Sequence, residues 1–255
     1  MHNEILTIGN FTIHGYGLMI AIGIVVAYLV AEYRTKKMNL ENQHLFPLVI
    51  VAVVFGLFGA KLLHWITIID EIIANPKILL NIADGFVVYG GIIVGIFACF
   101  VYSRIKKINL LPYMDIVLPS VAVAQGFGRI GCFLAGCCYG LETDSACHVV
   151  FTDSAFAPNG VQLLPTQLFS SALDFMHFVA LVFIASRKVK PGIVSACYLI
   201  FYSIGRFVLE FFRGDLARGS VGALSTSQFI SIFIAIAGVV MFVLCYKRKI
   251  KEDVA

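Results

Sequence analysis

Charged residues are scarce in this sequence, and their scarcity excludes a water-soluble globular protein. Asp, Glu, Lys and Arg together make up 13% of the 255 residues, whereas hydrophobic residues make up 60%. The mean hydropathy is +0.91, and too few polar side chains remain to cover a water-facing surface. The composition therefore predicts an integral membrane protein. Because the net charge of +4 reflects how basic residues flank apolar stretches, we expect no nucleic-acid partner.

The sequence also lacks the common local motifs of catalysis. It contains no phosphate-binding glycine loop, no Gly-x-Ser-x-Gly nucleophile elbow and no His-Glu-x-x-His zinc motif. We therefore expect no cofactor. Internal repeats and paired interrupted helices are also absent from the sequence, which weakens a transporter hypothesis because many transporters are built from repeated halves.

Seven apolar stretches are long enough to cross a hydrocarbon core of about 30 Å as helices of about 20 residues. The predicted spans are about 16–33, 46–66, 85–102, 116–135, 166–186, 192–212 and 224–246. They predict an all-α, polytopic membrane protein with a single transmembrane domain over residues 1–255 and a long outer loop at 136–165. No Lys or Arg precedes the first stretch, so we expect a retained helix rather than a secretory signal peptide.

Basic residues predict the orientation of the chain in the membrane. Thirteen of the 19 Lys and Arg residues lie in four clusters, one after each of the first, third, fifth and seventh spans. The clusters are Arg34, Lys36 and Lys37; Arg104, Lys106 and Lys107; Arg187, Lys188 and Lys190; and Lys247, Arg248, Lys249 and Lys251. Because cytoplasmic loops are enriched in basic residues, we expect the N-terminus outside and the C-terminus in the cytoplasm.

Three basic residues lie inside spans, toward the predicted outer ends: Lys61, Arg129 and Arg206. An intramembrane charge is costly, so it is expected to face the protein interior and to meet an anion there. Arg206 and Glu210 are four residues apart on one helix face, which predicts either a self-contained ion pair or part of an anion site. Two arginines at the same depth on different helices favour a shared anion site. A lipid phosphate is the expected anion, because a guanidinium binds phosphate oxygens as a bidentate fork.

Polar side chains accompany the arginine on the fourth span. Gln125, Arg129 and Cys132 occupy positions i, i+4 and i+7, so they project from the same helix face. Gly128, between them, either packs against another helix or lies in the site. On the fifth span, Gln167 begins a polar stripe that forms either interhelical hydrogen bonds or part of the site lining.

Aromatic and histidine side chains mark the predicted outer ends of two other spans. His14 and Tyr16 stand where the first span begins, and Tyr89 stands near the outer end of the third. Tyrosines at such positions commonly form an interfacial belt. The alternative is a functional role, in catalysis for Tyr89 and in substrate binding for His14 and Tyr16.

Four of the seven cysteines cluster behind the fourth span, at Cys132, Cys137, Cys138 and Cys147, with His148 beside the last. Their spacing matches no standard zinc pattern, so no metal site is predicted. Disulfide pairing on the outer side is at least as plausible as zinc binding.

These motifs together resemble the prolipoprotein diacylglyceryl transferases over most of the chain. The shared elements are Y-G-L-M at Tyr16–Met19, Gly-Gly after Tyr89, G-R-I-G-x-F at Gly128–Phe133 closed by Gly140, P-T-Q-L at Pro165–Leu168, R-F-x-x-E-F-x-R at Arg206–Arg213 and L-S-x-x-Q at Leu224–Gln228. The resemblance implies a bacterial plasma-membrane enzyme that acts at the outer leaflet. Its substrates would be phosphatidylglycerol and the lipobox segment of a prolipoprotein, and its products a thioether and glycerol phosphate. By resemblance, Arg129, Arg206, Glu210, Tyr16 and Gly140 carry the family roles.

Three positions depart from the family pattern, with Tyr89 in place of histidine, Cys132 in place of asparagine and Cys137 in place of glutamate. The general base is therefore open, and Tyr89, Cys137, His14 and Glu210 are the candidates. Two alternatives also stay open at this point. One is a paralogous head-group transferase that uses Cys137 with a different acceptor, and the other is a non-catalytic lipid or anion transporter or binding protein.

Overall fold

Seven long apolar helices form the framework of the protein. The computed structural model describes residues 4–8, 11–38, 40–81, 85–187, 189–215 and 219–248. Within these ranges, seven helices are long and apolar enough to cross a membrane, which confirms the predicted all-α polytopic membrane fold. Three basic residues of the orientation argument fall outside the described residues: Lys188, Lys249 and Lys251.

The bounds of the helices follow the predicted spans to within a few residues at most ends. The long helices are α1 (Gly15–Lys37), α2 (Leu45–Thr67), α4 (Val88–Lys106), α5 (Leu110–Ala135), α6 (Thr166–Ser186), α7 (Ile193–Glu210) and α8 (Thr226–Lys247), and a short helix α3 (Ile69–Ala74) follows α2. Short 3-10 segments occupy Asn42–His44 and Pro76–Leu80.

Helix α5 begins six residues before the predicted 116–135 span, because its acidic residue is satisfied by the protein. The Asp115 side chain is buried, and its carboxylate accepts hydrogen bonds from the backbone N–H groups of Gly192 (2.6 Å) and Ser195 (2.8 Å) at the start of α7. A buried carboxylate with these donors is tolerated within the helix. Hydropathy alone excludes the charged Asp115 and therefore begins the predicted span one residue after it.

Three short antiparallel strand pairs interrupt the helical pattern. Strands β1 (Glu4–Ile8) and β2 (Phe11–His14) precede α1, β3 (Val149–Val150) and β4 (Gln162–Leu163) lie between α5 and α6, and β5 (Ser220–Val221) and β6 (Leu224–Ser225) precede α8. The second pair gives the predicted 136–165 loop a hydrogen-bonded framework, with Phe151 and Leu163 fully buried beneath it.

The chain divides into two compact units. The second unit, Arg34–Tyr113, contains α2 and α4, which approach closely through glycines. A Cβ placed on Gly59 would lie 2.5 Å from the carbonyl oxygen of Gly90, so only glycine permits this approach. Lys61 lies in the same unit, where its Nζ donates to the carbonyl oxygen of Asn81 at 2.8 Å.

The first unit comprises Met1–Tyr33 and Met114–Ala255 and carries the site described below. Its core forms where α5, α6, α7 and α8 meet, and its buried members are Ala122, Leu181, Ile193, Val194, Cys197, Tyr198 and Cys245. Small residues bring the helices together here as well, since a Cβ on Gly126 would lie 2.8 Å from the Phe175 ring. Close packing of these four helices places the ends of α5 and α7 beside the start of α6.

Candidate active site

A small polar cavity lies where α5 ends, α6 begins and the chain leaves α7. All of its lining residues belong to the first unit: Arg129, Cys138, Thr166, Gln167, Ser170, Leu209 and Arg213. Two guanidinium groups, a thiol and an amide therefore face one space inside an otherwise apolar helical bundle. Two positive charges at such a position are suited to an anion.

Arg129 projects from the last turns of α5. Across the described ranges, its guanidinium makes no hydrogen bond or ion pair with another residue. Its charge acts from a distance on the buried Asp174, on Cys132 and on Tyr16. No described residue therefore competes with a ligand for its donors.

Arg213 supplies the second guanidinium, and it is held in place by its own neighbours. Its Nε and Nη2 donate to the two carboxylate oxygens of Asp215 at 3.0 and 2.9 Å, and its side chain is 8% exposed. It lines the cavity together with Cys138. In the sequence, Arg213 stood out only as the last residue of the R-F-x-x-E-F-x-R motif. Asp215, two residues later, was the available signal for a fixed guanidinium.

Arg206 makes two protein contacts instead. Its Nη1 lies 2.7 Å from Glu210 Oε2, and its Nη2 donates to Ser227 Oγ at 2.7 Å. Ser227 is positioned by the capping box at the start of α8, in which Ser225 and Gln228 cap each other reciprocally. The sequence predicted that Arg206 would share an anion with Arg129, and the structure places Arg213 on the cavity with Arg129. The charges of Arg129 and Arg213 still act on Arg206, so all three contribute to one positive region.

Gly140 joins the loop behind α5 to the segment behind α7. Its N–H donates to the carbonyl oxygen of Leu164 at 3.1 Å, and the next residue, Leu141, donates to Phe212 at 3.0 Å. Gly140 also forms a β-bridge with Arg213. A Cβ on Gly140 would lie 2.5 Å from the Leu164 oxygen, so glycine is required where these backbones cross.

Gln167 is the buried polar side chain of the cavity, with 1% exposure. Its Nε2 donates to the carbonyl oxygen of Cys137 at 2.9 Å, and the preceding Thr166 hydroxyl donates to the carbonyl oxygen of Cys138 at 3.1 Å. Its Oε1 has no hydrogen-bond partner in the part of the chain that the structure describes. An orphaned buried acceptor is costly, and a ligand donor such as a hydroxyl or amide group would satisfy it.

Three of the four clustered cysteines lie together, and one of them, Cys138, lines the cavity. The Sγ atoms of Cys132, Cys137 and Cys138 all lie within 4.8 Å of one another. Hydrogen bonds with the Cys132 and Cys137 thiols lower the pKa of Cys138, and the charge of Arg213 lowers it further. Cys147 is exposed and free, and it does not belong to this group.

The remaining predicted site residues take several different positions. Tyr16, at the start of α1, packs its backbone against Gly131 of α5, and Gln125 accepts a hydrogen bond from the Tyr198 hydroxyl at 3.0 Å. A Cβ on Gly128 would meet no atom within 4 Å among the described residues, so this glycine is not required for helix packing. His14 is exposed at the end of β2.

Tyr89 belongs to the second unit. It lies in the first turn of α4 and is 40% exposed. The glycine that follows it, Gly90, forms the close contact with Gly59. The Gly-Gly motif after Tyr89 is therefore explained by helix packing within this unit.

Comparisons with known proteins agree on one family. The family model described as prolipoprotein diacylglyceryl transferase matches residues 3–244. A Clostridium tetani protein named phosphatidylglycerol–prolipoprotein diacylglyceryl transferase is 47% identical over 230 residues, covering 90% of this chain and 92% of the relative. A Clostridium perfringens protein with the same name and the suffix 2 is 44% identical over 231 residues, covering 90% of each chain. A Finegoldia magna protein of that name is 31% identical over 255 residues, covering 99% of each.

Proposed function

The chain belongs to the prolipoprotein diacylglyceryl transferase family, and we propose that it transfers the diacylglyceryl group of phosphatidylglycerol to the lipobox cysteine of prolipoproteins. The observation that carries this proposal is the cavity that Arg129 and Arg213 line together. Among the described residues, the Arg129 guanidinium has no hydrogen-bond or ion-pair partner, and the Arg213 guanidinium is fixed by Asp215. This arrangement suits a phosphodiester, which one arginine can grip while the other stays in position.

The reaction forms one bond and breaks one bond at the same carbon. The acceptor sulfur bonds to the terminal glyceryl carbon that carries the phosphate, and the bond from that carbon to the phosphate oxygen breaks. Glycerol phosphate leaves with one more negative charge than the diester carried, and the thiol proton is released. Arg129 and Arg213 can offset this developing charge, and preorganised donors of this kind typically contribute about 3–4 kcal/mol each to transition-state stabilisation.

The ion pair of Arg206 and Glu210 has a supporting role in this proposal. The Arg206 side chain is 14% exposed and the Glu210 side chain 6% exposed, and Ser227 accepts a hydrogen bond from the other edge of the guanidinium. The pair keeps a third arginine near the cavity without using it as a direct phosphate ligand. It therefore strengthens the positive region that attracts the lipid head group.

The orientation of the site also belongs to the proposal. Within the first unit, Lys190 lies at the opposite end of the bundle from the cavity, where its Nζ donates to the carbonyl oxygens of Tyr246 (2.7 Å) and Arg248 (2.8 Å). Basic residues favour the cytoplasmic side. The cavity would then face the outer leaflet of the bacterial plasma membrane, with the N-terminus outside and the C-terminus in the cytoplasm.

The proposal can be tested with the purified chain in detergent or lipid nanodiscs. The protein is incubated with phosphatidylglycerol and a synthetic lipobox peptide, and mass spectrometry follows the diacylglyceryl adduct on the peptide cysteine. A peptide with serine in place of that cysteine controls for the acceptor, and phosphatidylethanolamine controls for the head group. If no thioether forms under conditions in which the Clostridium tetani relative produces it, the proposed function is wrong.

A further inference from the structure

The three clustered cysteines are brought together by the way the chain leaves α5. Cys132 lies in the last turn of the helix, which ends at Ala135, and Gly136 then turns the backbone with φ 75°. Cys138 follows with φ 61°, a left-handed conformation that is uncommon for a residue with a side chain. Such outliers cluster at functional sites, and this one places the Cys138 thiol on the cavity beside the other two.

The spacing of the sulfur atoms fits one shared metal ion. Zinc–sulfur bonds of about 2.3 Å in tetrahedral geometry place the sulfurs about 3.8 Å apart. The three Sγ atoms already lie within 4.8 Å of one another, so small side-chain adjustments complete the geometry. A disulfide would join only two of the three sulfurs and would leave the third thiol unexplained.

We infer that Cys132, Cys137 and Cys138 bind one zinc ion, and that its fourth coordination position is open. Thiolate ligands favour zinc over hard divalent cations. Among the described residues, no further His, Cys, Asp or Glu ligand atom belongs to the group. Three protein ligands with an open position are typical of catalytic rather than structural zinc sites.

The charges around the cluster are those that such a site requires. Three thiolates and one divalent cation sum to one negative charge. Arg129 and Arg213 line the same cavity as Cys138, and Arg213 shares its charge with the Asp215 carboxylate. Arg129, whose guanidinium has no carboxylate partner among the described residues, can therefore offset the single negative charge of the metal centre.

The role of the zinc rests on the proposed function, because the acceptor substrate is itself a thiol. A thiol that coordinates zinc loses its proton outright. The lipobox cysteine would take the open position as a thiolate and release its proton to solvent. Its sulfur would then bond to the glyceryl carbon as the carbon–oxygen bond breaks and glycerol phosphate leaves. The resulting thioether carries no charge and dissociates from the metal.

The metal site is tested first by stoichiometry, without any activity measurement. The full chain is purified in detergent with a non-thiol reductant, equilibrated with zinc, desalted and analysed by mass spectrometry for bound metal. We expect one zinc per chain in the wild type and loss of zinc in Cys132→Ser, Cys137→Ser and Cys138→Ser. Cys147→Ser is the matched control, because Cys147 is exposed and lies outside the group, and it should retain the zinc.

A second readout guards against variants that fail to fold. Substitution of cobalt for zinc in the wild type should produce the near-ultraviolet absorption of sulfur-to-cobalt charge transfer, and it requires no variant. Wild-type protein that binds no zinc and shows no such absorption under reducing conditions would overturn the inference. So would zinc retained by all three cysteine variants, or mass-spectrometric evidence of a disulfide within the cluster that persists under reduction.

The catalytic role is tested by removing the metal from the wild type. Chelation should reduce the rate of thioether formation by about 100-fold or more, and added zinc should restore it. Equal rates with and without zinc would overturn the catalytic role and leave the transferase function standing. Zinc bound in stoichiometric amount with no thioether in either state would support the metal site and contradict the proposed function.

Discussion

Replacing Gly140 with alanine tests the backbone crossing on which the cavity depends. The added Cβ would lie 2.5 Å from the Leu164 carbonyl oxygen and 2.7 Å from both Leu164 Cβ and Thr166 Cγ2. The Leu164 carbonyl oxygen is a backbone atom and Leu164 Cβ is bonded directly to the backbone, so neither atom can move away by a side-chain rotation. The loop carrying Cys138 must therefore move away from the start of α6.

The magnitude follows from the contacts that this movement breaks. Overpacking of a tight site typically costs about 1–3 kcal/mol, and loss of the Gly140 to Leu164 hydrogen bond costs about 1 kcal/mol more. We therefore expect Gly140→Ala to lower the free energy of unfolding by about 2–4 kcal/mol. Because Cys138 and Arg213 are positioned by the same crossing, a shift of about 1 Å should also reduce the rate of transfer by about 100-fold.

The assay compares Gly140→Ala with the control variant Gly17→Ala, because Gly17 has room for a side chain. A Cβ on Gly17 in α1 would meet no atom within 4 Å among the described residues, and alanine in a helix is more favourable than glycine by up to about 1 kcal/mol. Thermal unfolding in detergent and the rate of thioether formation are measured for both variants. If Gly140→Ala unfolds at the wild-type temperature and retains the wild-type rate, the crossing does not determine the cavity.

Three further substitutions probe other contacts of the first unit. Arg129→Lys should lower kcat by about 100- to 1,000-fold, because an ammonium cannot form the bidentate fork. Arg187→Lys, just beyond the far end of α6, is the control and should keep the wild-type kcat. If Arg129→Lys also keeps the wild-type kcat, Arg129 does not belong to the site. Glu210→Ala should lower the free energy of unfolding by about 3–5 kcal/mol, because it leaves the buried Arg206 charge without its carboxylate, and the double change with Arg206→Met should recover part of that loss in a denaturant titration. Asp115→Asn should lower the melting temperature by weakening the hydrogen bonds to the start of α7, which charge assistance makes worth about 1.5–3 kcal/mol each, and an unchanged melting temperature would contradict this account.

Local sequence patterns were sufficient for the helices. Hydropathy located all seven spans because a membrane helix must be apolar along about 20 residues, whatever it packs against. The L-S-x-x-Q motif is likewise a local device, since Ser225 and Gln228 cap the first turn of α8 through their own backbone. Where a polar residue was satisfied from another helix, hydropathy missed the boundary. Asp115 is the example, because its donors at Gly192 and Ser195 are more than 70 residues away in the chain.

The candidate site was only partly predictable for the same reason. Arg129 and Gln167 could be named from the sequence because their residue types are unusual inside apolar helices. The choice between Arg206 and Arg213 could not, since it depends on contacts with distant segments: Ser227 of α8 binds the Arg206 guanidinium, and a β-bridge joins Arg213 to Gly140. The approach of the three cysteines was also not predictable, because their spacing in the sequence does not reveal the left-handed backbone at Cys138 that brings the thiols together.

The sequence by itself determined that the chain crosses the membrane seven times and that charged side chains lie within its spans, because burial in hydrocarbon acts on each segment separately. Only the tertiary structure decided which guanidinium groups share a cavity and which thiols approach one another. Those outcomes depend on the close crossing at Gly140 and on the packing of α5, α6 and α7, and such contacts join residues far apart in the chain.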